Sequence, residues 1–352
     1  MDPQVTVLTT VYNGMAFIRE AIESTLNQTF TDFEFLIIDD ASTDESVECI
    51  RSYNDPRIRL IQNEVNIGQT ASLNKGLLIA KGKYIARLDQ DDVNLPLRLE
   101  EQVKTFQKKP ELTIICSWEH TIDHEGKRVI DHTRMLPNYG YFLGKVLLGL
   151  CPVWHPSVMF KKDIILDMNG YDTFYGPAED YELWSRIAIK RLNAEIVPKF
   201  HLLQRVHSNS QSQMQADKQL KATRLAHSKV VKNFTDSSDA DCIASVLRLE
   251  KCHCGKNYKI EHIKNISLAI SDMLKKINID QALTKNEFKG LKRAISKRIG
   301  KGILNAHKFP NMPASFFYLL LYSMSPLLQP SIRVFLSEIN TRLRKMRYFF
   351  SS

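Results

Sequence analysis

Three carboxylates lie within four residues at the end of one apolar run. The run, Tyr84 to Leu88, has the composition of a buried strand, and Asp89, Asp91 and Asp92 follow it directly. Like charges this close repel one another unless a cation lies between them. Carboxylate oxygens suit Mg²⁺ or Mn²⁺, and such an ion can stabilise a departing diphosphate. The alternative is a solvated acidic turn before the next helix, and the spacing alone leaves both open.

A second pair of acids, Glu179 and Asp180, begins a predicted helix. Leu183, Trp184 and Ile187 follow them at helical spacing, which places both acids in the first turn. The helix dipole favours acids there without any catalytic role. That dipole also lowers a carboxylate pKa, which does not help a general base. A base and a helix-capping charge therefore both remain open at this position.

Composition is that of a globular protein of one large or two ordinary domains. The 352 residues are 43% hydrophobic and 25% charged. No basic and apolar leader precedes the strand-like run Val5 to Thr9, so we predict no secretory signal. The six cysteines are mostly scattered, as in a reduced protein. We expect a cytoplasmic location.

Positive charge is concentrated in the C-terminal part of the chain. Residues 251–352 hold 19 Lys and Arg against 5 Asp and Glu, while the rest holds 29 against 34. The apolar stretch Ala314–Met324 is too short to span a bilayer, and Pro326 interrupts it. The terminus Arg342–Phe350 interleaves bases with apolar side chains. This composition predicts binding to an anionic membrane surface, with a helical bundle that has a basic outer face as the alternative.

Predicted strands and helices alternate up to about residue 116, and the pattern is almost purely helical from about residue 216. The predicted strands are Val5–Thr9, Glu34–Ile38, Arg57–Ile61, Tyr84–Leu88, Leu112–Cys116 and Ser157–Lys161. The predicted helices are Met15–Asn27, one begun by a capping box of Ser42 and Glu45, Ala71–Ala80, one with Pro96 in its first turn, and Asp180–Lys190. Such alternation predicts a parallel sheet with ligands at the carboxyl ends of its strands.

Three of these strand ends carry polar side chains to one edge of the sheet. Tyr12 follows the first strand and offers an aromatic face to a base. Asp40 follows the second strand and can accept a hydrogen bond from a base or a ribose, while Asp89 to Asp92 follow the fourth. Neither a Gly-x-Gly-x-x-Gly nor a Gly-x-x-x-x-Gly-Lys-Ser/Thr motif is present. Any phosphates bound here are therefore expected to depend on a metal.

About 210 N-terminal residues resemble glycosyltransferase family 2, the inverting enzymes with the nucleotide-sugar-binding fold called GT-A. The matching stretches are Val5–Asn13, Phe35–Asp44, Tyr84–Asp92, His155–Phe160 and Ala178–Trp184, in this order. The resemblance implies an α/β GT-A fold, a mostly parallel sheet flanked by helices, with a helical basic C-terminal extension. It implies a catalytic domain over residues 1–215, with nucleotide-sugar binding in 1–116 and the acceptor side in 117–215, followed by a helical region over 216–352.

The resemblance also implies a role for each matching residue. Donor nucleotide contacts fall to Thr10, Tyr12, Asp40 and Asp89, metal contacts to Asp89, Asp91, Asp92 and His207, the general base to Asp180, and the acceptor side to Glu179 and His155. A lone histidine is often only structural, so His207 as a ligand and His155 as an acceptor contact compete with simple packing. One departure is Leu73, where many relatives place an arginine, and Lys75 could take over that phosphate contact.

The implied reaction is the inverting transfer of a single sugar from a nucleotide-diphospho-sugar to a hydroxyl group. The donor would be a UDP-hexose or a UDP-N-acetylhexosamine, the cofactor Mn²⁺ or Mg²⁺, and the acceptor a glycan or lipid-linked molecule of cell-surface polysaccharide synthesis. The Gln-x-x-Arg-Trp motif of processive relatives is absent. A nucleotidyltransferase is the rival enzyme, although Thr9–Gly14 lacks its basic loop. A nucleic-acid-binding protein is the rival of another class, but the basic tail has no reading motif, so no nucleic acid partner is expected.

Overall fold

The computed structural model describes residues 2–208, 210–236, 240–248 and 260–304. These residues form two compact units. The first comprises 2–136 and 151–223, and the second comprises 137–150 and the described residues from 224 onward. The stretches Ala314–Met324 and Arg342–Phe350 lie outside the described residues. Among the described helices, none combines the length and the apolar composition that crossing a bilayer requires.

A nine-stranded sheet forms the first unit. The strands are β1 Val5–Val11, β2 Phe33–Asp39, β3 Ile58–Gln62, β4 Tyr84–Arg87, β5 Val93–Asn94, β6 Leu112–Ile122, β7 Arg128–His132, β8 Met159–Lys161 and β9 Asn193–Arg205. Their order is β3-β2-β1-β4-β8-β6-β9-β5, and β7 pairs with β6. The first four are mutually parallel, as predicted, and β9 runs parallel to β6. Strands β5, β7 and β8 pair antiparallel.

Helices cover this sheet and build the second unit. They are α1 Ile18–Leu26, α2 Ser46–Arg51, α3 Gln69–Ile79, α4 Arg98–Lys108, α5 Tyr139–Leu147, α6 Lys162–Asp167, α7 Glu179–Ile189, α8 Gln211–Met214, α9 Ala216–Phe234, α10 Ala240–Arg248, α11 Ile260–Asp280 and α12 Lys285–Leu304. Every residue of β1 and β2 is buried, which is typical of strands covered on both faces. One core cluster includes Val7, Ile22, Phe35, Leu99 and Phe106.

Two predicted helix starts are wrong. No capping box forms, and α2 begins at Ser46. The side chains before it serve the neighbouring loop instead: Ser42 Oγ accepts from the Asn13 amide at 3.0 Å, and Asp44 Oδ2 accepts from the Met15 amide at 3.1 Å. The loops after β1 and β2 are thereby joined. Helix α4 begins at Arg98, so Pro96 precedes the helix and does not lie in its first turn.

In the second unit, α5 and α12 approach each other closely through small residues. A Cβ atom added to Gly144 would lie 2.7 Å from the Cβ of Ala294, and one added to Gly140 would lie 1.8 Å from the carbonyl oxygen of Glu287. Only glycine fits at such distances. The two glycines, one helical turn apart, therefore set the spacing between the two helices.

Candidate active site

The carboxyl ends of β1, β2 and β4 meet at one edge of the sheet, because β1 lies between the other two. The amide of Asp40 donates to the carbonyl of Val11 at 2.7 Å, and that of Leu88 donates to the carbonyl of Leu8 at 3.2 Å. Thr10 lies in β1 and is 8% exposed. The loops that follow the three strands carry Tyr12, Asp40, Asp89, Asp91 and Asp92, while His207 follows β9.

Tyr12 presents its ring to solvent at this edge. Its side chain is 48% exposed, while its backbone is fixed by the side chain of Gln90. Gln90 Oε1 accepts from the Tyr12 amide at 2.9 Å, and Gln90 Nε2 donates to the Tyr12 carbonyl at 3.3 Å. A fixed backbone with an exposed ring suits stacking against a planar base.

The Asp40 carboxylate is 3% exposed, and both its oxygens accept hydrogen bonds from the protein. Oδ1 accepts from Asn63 Nδ2 at 2.8 Å, from the Ile67 amide at 2.9 Å and from Ser72 Oγ at 3.0 Å, and Oδ2 accepts from the Gly68 amide at 2.8 Å. Asp40 therefore fastens the loop before α3 to the end of β2. A direct contact between Asp40 and the nucleoside stays a prediction.

Leu73 is the position that departs from the family pattern, and Lys75, two residues later, joins the hydrogen-bond network of Asp40 through Asn63. Leu73 is fully buried. Lys75 donates from Nζ to Asn63 Oδ1 at 2.7 Å, so its ammonium group lies beside the loop that Asp40 holds. A phosphate contact by Lys75 stays a prediction. The present partner of the Lys75 ammonium group is the neutral amide of Asn63, which a phosphate oxygen can replace.

Asp89 is held by a buried arginine that the sequence argument missed. Arg87 is fully buried, and its guanidinium forms an ion pair with the Asp89 carboxylate. Gln69 Nε2 lies 3.4 Å from Asp89 Oδ1. The signal was present, since an arginine inside an otherwise apolar strand needs a partner. The ion pair fixes Asp89, the first of the three acids that follow β4.

Asp91 and His207 come together from residues far apart in the chain. Asp91 Oδ2 lies 2.9 Å from His207 Nε2, and both side chains are about one-sixth exposed, at 17% and 16%. Burial raises the pKa of Asp91, the charge of Asp89 adds to the shift, and His207 opposes it. The His207 ring also packs against Phe17, with 4.8 Å between ring centroids.

Asp92 faces the protein and supports β9. Its side chain is 2% exposed, and Oδ1 accepts from the Arg205 amide at 2.8 Å, while Oδ2 has no hydrogen-bond partner among the described residues. Burial raises the pKa of Asp92 well above the usual aspartate value, and the charges of Asp91 and Asp89 add to it. Within the described residues, no three His, Cys, Asp or Glu side chains converge as a metal-binding group.

Arg205, also missed by the sequence argument, locks the end of β9 in place. Its Nε donates to the Asp91 carbonyl at 3.1 Å, and Nη2 pairs with Glu20 Oε2 at 2.8 Å. Nη1 donates to the carbonyls of Asp123 and His124, both at 3.2 Å. Arg205 thereby fixes the chain two residues before His207.

Asp180 lies in the first turn of α7, as predicted, and is held from two sides. Oδ1 accepts from the Tyr181 amide at 2.6 Å, and Oδ2 accepts from the Cys151 thiol at 3.2 Å. Burial raises the pKa of Asp180, and the negative charge of Asp89 contributes to the rise. Burial therefore outweighs the lowering expected from the helix terminus.

Glu179 and His155, the two predicted acceptor-side residues, are both buried. Glu179 is 5% exposed, and its Oε2 has no hydrogen-bond partner in the part of the chain that the structure describes. Burial together with the Asp180 charge raises the pKa of Glu179 to about 7. His155 Nε2 lies 2.8 Å from the Tyr171 hydroxyl, and burial lowers the pKa of His155 well below its usual value. The ring also meets Trp184 edge-on. His155 is therefore a neutral, packed side chain in this structure, and its acceptor contact stays a prediction.

Known proteins resemble this chain in sequence and in fold. The family model "Glycosyl transferase family 2" matches residues 6–166. The uncharacterized glycosyltransferase MJ1057 of Methanocaldococcus jannaschii is 35% identical over 212 residues, which cover 58% of this chain and 71% of that protein. The O-antigen biosynthesis glycosyltransferase WbnJ of Escherichia coli is 33% identical over 185 residues, covering 52% and 71%.

Two solved structures share the fold at 15% identity. TarS residues 1–349 of S. aureus, in complex with UDP-GlcNAc, superposes with a TM-score of 0.57 over 92% of each chain. The mannosyltransferase PcManGT of Pyrobaculum calidifontis, in complex with GDP-Man and Mn²⁺, gives 0.52 over 92% of this chain and 87% of that one. The predicted α/β fold class is confirmed. The sequence matches show in addition that this chain belongs to glycosyltransferase family 2.

Proposed function

We propose that this glycosyltransferase transfers one sugar, with inversion, from a nucleotide-diphospho-sugar to a hydroxyl of a glycan or lipid-linked acceptor. The proposed donor is a UDP-hexose or a UDP-N-acetylhexosamine, and the proposed process is cell-surface polysaccharide synthesis. Two comparisons support this choice. WbnJ is named as an O-antigen biosynthesis glycosyltransferase, and the TarS structure is a complex with UDP-GlcNAc. The proposed catalytic domain is residues 1–215.

One observation carries the proposal: a candidate base and a candidate diphosphate site lie within electrostatic reach of each other. Burial is the largest cause of the raised pKa values of Asp180 and Glu179, and the negative charge of Asp89 raises both pKa values further. Asp89 itself belongs to the strand end that also bears Asp91. Inversion needs a base on one side of the reacting carbon and a stabilised leaving group on the other, and these residues supply both.

The proposed chemistry assigns a step to each side of the site. The acceptor hydroxyl gives its proton to an Asp180 carboxylate oxygen while its own oxygen forms a bond to the anomeric carbon of the sugar. The bond from that carbon to the diphosphate breaks, and its electron pair leaves with the nucleoside diphosphate. The exposed ring of Tyr12 is proposed to stack on the base, and Thr10 and Asp40 to shape its surroundings.

The residues present fit a divalent cation at Asp91 and His207. Their side chains already touch, and a cation there would relieve the repulsion that raises the pKa of Asp91. Asp89 is proposed to stay with Arg87 at the donor side, and Asp92 to support β9, since it faces the Arg205 amide. When bound, Mn²⁺ or Mg²⁺ would neutralise charge on the departing diphosphate. PcManGT with GDP-Man and Mn²⁺ supports this assignment.

A panel of nucleotide sugars tests the proposed function. The full chain is incubated with Mn²⁺ and each UDP- or GDP-sugar, and the released nucleotide is measured with and without glycan acceptors. We expect release of UDP from one donor, at a rate that rises when the acceptor is added. Release of pyrophosphate from a nucleoside triphosphate and a sugar phosphate would instead establish a nucleotidyltransferase, and GDP release would correct the donor base.

The basic C-terminal region is proposed to bind the anionic inner face of the cell membrane. The supporting observation is the excess of 19 bases over 5 acids in residues 251–352. Each base near an anionic surface contributes about 1 kcal/mol, and salt screens it. We expect the full chain to sediment with anionic vesicles at low salt. Replacing Arg342, Arg344, Lys345 and Arg347 by serine is expected to weaken binding by about five-fold per base.

Neutral vesicles and high salt are the controls for the membrane proposal. Equal sedimentation with neutral and anionic vesicles would show that charge does not drive the binding. Absence of binding by the unaltered full chain would leave the basic region as a soluble helical structure or a protein contact.

A further inference from the structure

We propose that Cys151, anchored through Arg134, is a positioning residue for the Asp180 carboxylate. This inference rests on the proposed function, because Asp180 is the proposed base. Cys151 lies outside the stretches that resemble the family, 29 residues before Asp180 in the chain. The thiol and the carboxylate are brought together by the fold of the first unit.

The Cys151 thiol has two acceptors within reach and one proton to donate. Its Sγ lies 3.2 Å from Asp180 Oδ2 and also 3.2 Å from the carbonyl oxygen of Val153. Burial raises the pKa of this thiol well above its usual value, so it stays protonated and remains a donor. An ionised carboxylate is a stronger acceptor than a carbonyl, so the thiol turns to Asp180 when that acid is charged.

The backbone that carries the thiol is held by Arg134. Arg134 Nη1 donates to the Cys151 carbonyl at 2.8 Å, and its guanidinium carbon lies 4.0 Å from the centre of the Trp154 ring. Trp118 Nε1 in turn donates to the Arg134 carbonyl at 2.8 Å, which connects the arrangement to β6. A donor whose own backbone is fixed can hold a carboxylate in one orientation.

The two acceptors give the thiol a hydrogen-bond partner both before and after proton transfer to Asp180. Before transfer, the thiol donates to the charged Asp180 and stabilises the form that can act as a base. When Asp180 takes the proton from the acceptor hydroxyl, it becomes a weaker acceptor, and the thiol can turn to the Val153 carbonyl at the same distance. The buried S–H group thus keeps a partner in both protonation states.

Other charged or titratable groups lie near this pair and also influence the ionisation of Asp180. Beside Asp180 these are Glu179, Asp89 and Tyr171, and beside Cys151 they are Arg134 and Cys116. Glu179 and Asp89 disfavour the charged base, whereas the thiol and the Tyr181 amide favour it. Loss of the thiol therefore removes the one side-chain donor among the hydrogen bonds that lower the pKa of Asp180.

The test compares Cys151→Ala, which removes the hydrogen-bond donor, with Cys151→Ser, which keeps a hydroxyl donor. For Cys151→Ala we expect kcat to fall by about three- to ten-fold, the value of one hydrogen bond, with the KM for the nucleotide sugar unchanged. The acid limb of the kcat profile should move to higher pH, because the charged form of Asp180 is less stabilised. Cys151→Ser should recover most of the rate. Cys49→Ala, at a buried free cysteine on α2, is the matched control.

The outcomes separate this inference from the proposed function. If Asp180→Asn is inactive but Cys151→Ala has the normal kcat and pH profile, Cys151 is only a packing residue. If Cys151→Ala and Cys151→Ser lose the same activity and the acid limb does not move, the effect is on folding or packing. If Asp180→Asn keeps full turnover, the base assignment itself is wrong.

Discussion

Asp180→Asn is expected to lower kcat by about two to four orders of magnitude, with donor affinity unchanged. The amide has nearly the shape of the carboxylate but cannot accept the proton of the acceptor hydroxyl. The unaltered enzyme should lose activity as the pH falls through the pKa of Asp180. Because burial raises that pKa, the loss should begin at a higher pH than for an exposed aspartate.

Steady-state kinetics with saturating donor, together with donor titration by calorimetry, measure the effect. Asp163→Asn is the matched control, since Asp163 is an exposed acid in the first turn of α6. A variant at Asp180 with weakened donor binding and a normal saturated rate would show that this carboxylate binds substrate and does not act as a base.

Asp91→Ala is expected to lower transfer by about 100-fold or more and to remove the response to Mn²⁺. The reason is that Asp91 and His207 are the two proposed ligands whose side chains already lie together. The fold should be retained, because Asp91 is a largely buried acid whose charged form is opposed by burial and by Asp89. Thermal unfolding is therefore expected at or above the midpoint of the unaltered chain.

Metal titration tests whether Asp91 binds the metal directly. The unaltered chain should lose transfer activity in a chelator and regain it when Mn²⁺ or Mg²⁺ is added. Asp163→Ala should behave like the unaltered chain. Full activity of Asp91→Ala in the presence of chelator would rule out the metal assignment, and activity restored by excess Mn²⁺ would assign Asp91 to affinity alone.

Strands β1, β2 and β4 could be predicted because they are buried on both faces. Buried strands have continuous apolar sequences, such as Phe35 to Ile38, and the polar residues after them mark the strand ends. Strand β9 was missed for the opposite reason. Only five of its thirteen residues are buried, it contains Pro198, and its charged residues interrupt any apolar run.

Helix α5 shows a different limit of local sequence patterns. Gly140 and Gly144 weaken a helix on propensity alone, and only their close packing against α12 explains their presence. The capping box at Ser42 failed similarly, since its hydroxyl is used by the amide of Asn13 on another loop. Tertiary contacts overrode the local preference in both places.

The acids of the candidate site were named from the sequence, whereas the residues that hold these acids in place were not. Asp91 and Asp180 stand in short recognisable patterns, whereas Arg205 and Cys151 act through partners far away in sequence. Arg205 reaches Glu20 across 185 positions. No spacing rule relates such residues, because the fold alone brings them together. Asp92 belongs to a pattern of ligands but is used, as the structure has it, to hold β9.

The separation of 116 positions between Asp91 and His207 has a consequence for the synthesis of this protein. A chain emerges from the ribosome in order, so the acidic strand end is made long before β9. Until residues 205–207 emerge, Asp91 and Asp92 lack the histidine and the arginine amide that they contact in the finished protein. We therefore expect the nascent chain to become competent to bind donor in one late step, when β9 inserts between β6 and β5.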